Sequence, residues 1–112
     1  MSLASLSLLG LAILAEVVAT MSLKASAGFT RLVPLAASLG FYAVAFYFMS
    51  LAMRTVPVGV IYAIWSGVGI VFIGLFGWLL FGEKLDAPAL AGIALILAGV
   101  LVINLFSASV SH

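Results

Sequence analysis

Four stretches of this chain, at about residues 3–23, 33–53, 58–81 and 87–106, are each long and apolar enough to cross a membrane as a helix. A hydrocarbon layer about 30 Å thick needs roughly 20 helical residues. Charged or turn-forming residues separate the stretches: Lys24 to Leu32 around Gly28, Arg54 to Pro57, and Gly82 to Asp86. The strands of a transmembrane barrel alternate lipid-facing and lumen-facing residues in segments of about ten, and nothing in this chain alternates. The expectation is an all-α integral membrane protein, a single four-helix transmembrane domain over residues 1–112. Pro57 and Pro88 fall at helix starts, where a missing N–H costs little. Glu83 and Asp86 favour the positive end of the fourth helix.

Composition excludes the alternatives. Hydrophobic residues fill 67% of the 112 positions and charged residues only 6%, too few to clothe a water-soluble domain of this size. A formal net charge of +1 with no basic run gives nucleic-acid binding no electrostatic footing. Cysteine is absent, which removes disulfides, thiolate nucleophiles and the common zinc sites. A lone His112 cannot assemble a metal centre or a catalytic triad. Neither a cofactor nor enzymatic activity is expected. The first apolar stretch lacks a basic region before Leu8 and contains a carboxylate, which argues against a secretory signal.

The loop charges say little about orientation. An even number of crossings places both termini beside the second loop, which holds Arg54, while the first and third loops hold Lys24, Arg31 and Lys84. Basic residues favour the cytoplasmic side, and this bias is weak. Such a chain can insert both ways, so that two copies pair antiparallel and supply by dimerisation the symmetry that larger transporters encode as inverted repeats.

Glu16 is the residue with the most chemical meaning. It is the only carboxylate within the apolar stretches, and an ionisable group at membrane depth is costly unless it faces a cavity or a partner. Ala12, Ala19 and Thr20 share its helical sector and leave space beside it. The purely structural alternative is an ion pair with Lys24 or Arg54. In the third stretch Tyr62, Trp65, Ser66 and Gly69 fall within a stripe roughly 100° wide. Aromatic faces there can hold a bulky organic cation, and a phenol can hydrogen-bond a carboxylate. The same stripe could instead be a packing face. Tyr42 and Phe46, four apart on the second stretch, are candidates for a further aromatic wall. Gly67 and Gly69 weaken the third helix locally and are candidates for a hinge or kink, with close helix approach as the alternative. Gly92 and Gly99, among Ala91, Ala94 and Ala98, make a small-residue face suited to helix contact across a dimer. Trp78 and Phe81 read as interfacial anchors.

The run Ala15-Glu16-Val17-Val18-Ala19-Thr20, then Gly28-Phe29-Thr30-Arg31, resembles the opening of the small multidrug resistance transporters. Pro57, Gly59 and the run Tyr62 to Gly69 resemble that family's third helix, and Gly92, Gly99 and Asn104 its fourth. The resemblance covers nearly the whole chain. It implies an antiparallel, dual-topology homodimer in a bacterial inner membrane, exporting toxic cations in exchange for protons. The residue matching Glu16 would bind proton and substrate in competition. Those matching Tyr62 and Trp65 would line the substrate site, with Tyr42, Phe46 and Ser66 shaping it. The glycine pair matching Gly67 and Gly69 would lie in a kinked third helix, and the fourth helices would carry much of the dimer contact. Ala19 and Ser66 stand where a guanidinium-exporting branch typically has tryptophan and threonine, so the chain looks more like the quaternary-ammonium and multidrug branch. Guanidinium export by the same fold is the nearer alternative, and a structural or regulatory membrane subunit the more distant one.

Overall fold

The computed structural model describes residues 2–108; His112 lies outside them. Four helices follow in order, α1 (Leu3–Ala25), α2 (Leu32–Ala52), α3 (Val58–Phe81) and α4 (Ala87–Phe106), with no strand among the described residues. Each is long and apolar enough to span a membrane.

Local chemistry sets the helix ends. Ser2 caps α1 by accepting from the Ser5 amide at 3.1 Å, and Asp86 caps α4 by accepting from the Ala89 amide at 3.0 Å. Pro88 sits in the first turn of α4, and Pro57 is the N-cap of α3. Helix α1 runs on through Lys24 to Ala25, past the expected end near Leu23. Lysine is a good helix former, and its cation suits the negative end of the helix dipole. Beyond it Ala27, Gly28 and Phe29 all take positive φ (50°, 71° and 70°), a tight reversal held by Ser26. The Ser26 hydroxyl donates to the Leu23 carbonyl and accepts from the Phe29 amide, while its carbonyl accepts from the Thr30 and Arg31 amides. Gly82, at φ 68°, ends α3 and turns its own amide and that of Glu83 back onto the carbonyls of Trp78 and Gly77.

Two contacts tie the ends of the bundle together. At one end Ser5 and Thr55 hydroxyls meet at 2.8 Å, joining the start of α1 to the α2–α3 turn. At the other Lys24 pairs with Glu83 at 3.3 Å, joining the end of α1 to the α3–α4 turn. The pairing of first and third loops on one side follows from an up-and-down bundle.

The core is formed where α1, α2 and α3 meet, from Leu9, Ile13, Val17, Met49, Ala52, Val60, Ile61 and Ile64. Helix α4 packs on α3, and Val100 is its only buried residue. At Gly67 the two helices come very close: a Cβ there would overlap the Val100 side chain. The remaining surface of α4, including Leu95, Leu101, Leu105 and Phe106, faces outward. The protomer is thin, about 18 Å across its shortest dimension.

Candidate functional site

Glu16 lies mid-way along α1, where Ala12, Ala15 and Ala19 are buried around it and keep the neighbouring helices close. The residue itself is only partly buried. The Thr20 hydroxyl, one turn later on the same helix, donates to Glu16 Oε1 at 2.8 Å, and the Tyr42 hydroxyl of α2 lies 2.8 Å from the Thr20 Oγ1. The other oxygen, Oε2, looks towards α3, where a Cβ on Gly69 would sit 3.7 Å from it. The ion-pair alternative is not realised at Lys24, whose ammonium is engaged by Glu83.

A cavity of about 280 Å³ opens between α1 and α3, lined by Glu16, Tyr62, Trp65, Ser66, Gly69, Ile70 and Ile73. The stripe read from the sequence therefore faces the carboxylate. The rings form a continuous set: Tyr42 stacks on Phe46 (centroids 6.0 Å apart), Phe46 meets Trp65 edge-on (6.4 Å), and Trp65 tilts against Tyr62 (5.4 Å). Tyr42 and Phe46 thus support Trp65 from α2 and do not line the cavity themselves. Glu16 Oε2 and the Trp65 ring each lie 3.7 Å from where a Cβ on Gly69 would stand. Gly67, two residues earlier, faces the other way, against Val100. Gly92 and Gly99 have no atom within 4 Å of where a Cβ would stand, so their face of α4 is open in the protomer. Asn104 is satisfied within its own helix, donating to the Val100 carbonyl at 3.0 Å.

Two members of the site were not singled out by sequence, Ile70 and Ile73, which extend the stripe by apolar residues, and Thr20 was placed beside Glu16 by spacing but not as its hydrogen-bond donor. The spacing of four between Glu16 and Thr20 was a usable signal for that bond. A larger cavity, about 500 Å³, lies between α3 and α4, lined by apolar residues including Trp78 and Leu90, with Lys84 at its edge. Its only charged group is a cation, so it is unsuited to cationic ligands.

Chemically, the smaller cavity offers one anionic oxygen, two aromatic faces and a serine hydroxyl in a largely apolar wall. That is a set of groups able to attract a cation by Coulomb and cation–π forces and to exchange a proton. At about 280 Å³ it is at the lower edge of volumes that enclose a small organic ligand, and it is open on one side.

Comparison with known proteins points the same way. A family model described as Small Multidrug Resistance protein matches residues 4–96. A multidrug transporter of Pseudomonas aeruginosa is 57% identical over 104 residues, covering 93% of this chain and 94% of the relative. The multidrug transporter EmrE of Escherichia coli is 51% identical with the same coverage of both chains. The quaternary ammonium compound-resistance protein QacE of Escherichia coli is 51% identical over 102 residues, covering 91% of this chain and 93% of the relative.

Proposed function

Because the chain belongs to the small multidrug resistance family, a multi-pass protein of the bacterial inner membrane, we propose that it is a secondary active transporter exporting hydrophobic, quaternary ammonium or aromatic cations in exchange for protons. The observation that carries this reading is the cavity in which the lone intramembrane carboxylate, Glu16, faces Tyr62, Trp65 and Ser66. The names of relatives, which include a quaternary ammonium resistance protein and multidrug transporters, support the same substrate class.

The working unit in this proposal is an antiparallel homodimer. The open side of the cavity is then closed by a second copy, which brings a second Glu16, and the face of α4 around Gly92 and Gly99 meets its counterpart. Competition supplies the coupling. Two ionised carboxylates in a dry cavity are expensive until a cation or protons neutralise them, and a protonated pair holds a cation poorly. Alternating access, with α3 flexing about Gly67 and Gly69, then turns competition into exchange. Two protons entering per monovalent cation leaving would move one net charge inward, worth about 2.3 kcal/mol at 100 mV.

The test is transport in liposomes. In liposomes with an acidic interior, wild-type protein is expected to drive uptake of tetraphenylphosphonium or a benzalkyl ammonium ion as protons leave, and Glu16→Gln to lose this proton-coupled component. Undiminished pH-driven uptake by Glu16→Gln would overturn the role of the carboxylate. Currents evoked by guanidinium but by neither larger cation would replace the multidrug substrate class with guanidinium.

A further inference from the structure

The two oxygens of Glu16 are inequivalent. Oε1 accepts from Thr20 Oγ1 at 2.8 Å, whereas Oε2 faces α3 and borders the cavity. A threonine hydroxyl carries one hydrogen. With that hydrogen committed to Glu16, the 2.8 Å contact to Tyr42 must have the phenol as donor. The order is therefore Tyr42 to Thr20 to Glu16, a chain of two hydroxyls that starts on α2 and ends on the carboxylate of α1.

We propose that Thr20 is a positioning residue for cation and proton exchange: backed by the Tyr42 hydroxyl, it engages Oε1 of the ionised Glu16 and leaves Oε2 as the oxygen offered to the proton or the cation. The inference rests on the function proposed above and concerns how the same carboxylate is held.

The surroundings give the hydroxyl chain its weight. From α2 the titratable group facing Glu16 is Tyr42, and from α3 it is Tyr62. Helix α4 has no ionisable side chain, and Lys24, two turns on along α1, is paired with Glu83. Among the described residues, then, the carboxylate is met by the hydrogen bond that Thr20 donates and by no ion-paired cation. A bond donated to a carboxylate favours its ionised form, and a donor that is itself hydrogen-bonded is the stronger for it. A proton arriving on Oε1 would weaken that oxygen as an acceptor and so loosen the Thr20 bond; one arriving on Oε2 leaves the chain in place. Stacking on Phe46 fixes the Tyr42 ring from the opposite end, which keeps its hydroxyl within reach.

The experiment compares pH profiles of tetraphenylphosphonium binding to purified protein in lipid bicelles. Thr20→Val replaces the hydroxyl by a methyl of equal size. It is expected to move the pH of half-maximal binding upward by about one unit, which is a tenfold loss of affinity at a fixed pH below the midpoint and little loss well above it. Thr20→Ser, which keeps the hydroxyl, is expected to restore the wild-type midpoint. Tyr42→Phe is expected to give a smaller upward shift alone and no further shift when added to Thr20→Val, because its effect passes through Thr20. A Thr20→Val midpoint within about 0.2 unit of wild type, or a Tyr42→Phe shift that is the same in both backgrounds, overturns the proposal. If Thr20→Val does not fold, Thr20→Ala takes its place with the same criteria. The carboxyl carbon of Glu16 followed by NMR against pH without any cation gives the same comparison. Wild-type protein that binds no cation would defeat the transport reading alone, and the NMR series would still decide the role of Thr20.

Discussion

At the scale of single residues, Gly67 and Gly69 make the sharpest contrast. They are two positions apart on one helix, about 200° around its axis, and so face different neighbours. An added Cβ at Gly67 would overlap the stiff, β-branched Val100, whereas one at Gly69 would stand 3.7 Å from both Glu16 Oε2 and Trp65, an ordinary contact distance. Gly67→Ala is therefore expected to lower stability by about 1–3 kcal/mol through overpacking, and Val100→Ala in the same chain to recover much of it. Gly69→Ala is expected to keep stability, since alanine is the better helix former, but to place a methyl on the cavity floor and weaken cation binding about tenfold or more. Thermal unfolding in detergent separates the first pair, and equilibrium binding the second. Equal loss of stability at both positions would contradict the faces assigned to them. What was legible from sequence at this scale was the isolation of Glu16 and the stripe of Tyr62, Trp65, Ser66 and Gly69, because both depend only on helical period and the cost of a buried charge. The hydroxyl chain was less so. Thr20 shares the Glu16 sector by spacing, yet its partner Tyr42 lies 22 positions away on another helix, and no local pattern specifies that approach.

At the scale of elements, the helix ends illustrate which signals act locally. Asp86, Pro57, Pro88 and Gly82 each act through their own backbone neighbourhood, and they stand where α3 and α4 begin or end. The α1–α2 connection is different. Three consecutive residues at positive φ, two of them not glycine, are costly, and the compensation comes from Ser26, fully buried beneath the turn. Composition offers no hint of that, since a serine before Ala-Gly-Phe has many possible roles. Ser26→Ala removes the hydroxyl that bonds both the Leu23 carbonyl and the Phe29 amide, and is expected to cost about 1–2 kcal/mol. Protease sensitivity of the loop should rise with it, while Ser26→Thr, which retains the hydroxyl, should fall between the two. A loop as resistant in Ser26→Ala as in the wild type would show that the reversal is held by its backbone bonds alone.

At the scale of the whole molecule, the distribution of packing is uneven among the four helices. Helices α1, α2 and α3 share a core, while α4 contributes Val100 to it, packs Ile103 against it and leaves most of its length exposed. A lipid-facing helix and a partner-facing helix look alike by hydropathy, because lipid tails and leucine are equally apolar; what distinguishes them is close approach, which small residues permit. Gly92 and Gly99 are seven apart, two turns along one side of α4, with no atom of the protomer near either. Gly99→Leu should therefore leave the fold of the chain intact, since nothing in it lies within 4 Å of where the new Cβ would stand. If that face meets a second copy, the same substitution should hold the two helices apart, shift the monomer–dimer balance by about tenfold or more, and abolish cation binding where the site needs both copies. Gly40→Leu is the control: Gly40 on α2 is likewise open within the protomer but has no proposed partner, and its substitution should leave association unchanged. Sedimentation or cross-linking at several protein-to-detergent ratios reads the outcome. Dissociation by Gly99→Leu with association retained by Gly40→Leu would place the contact on α4, whereas dissociation by neither would assign that face to lipid and require the open side of the Glu16 cavity to be closed by some other element.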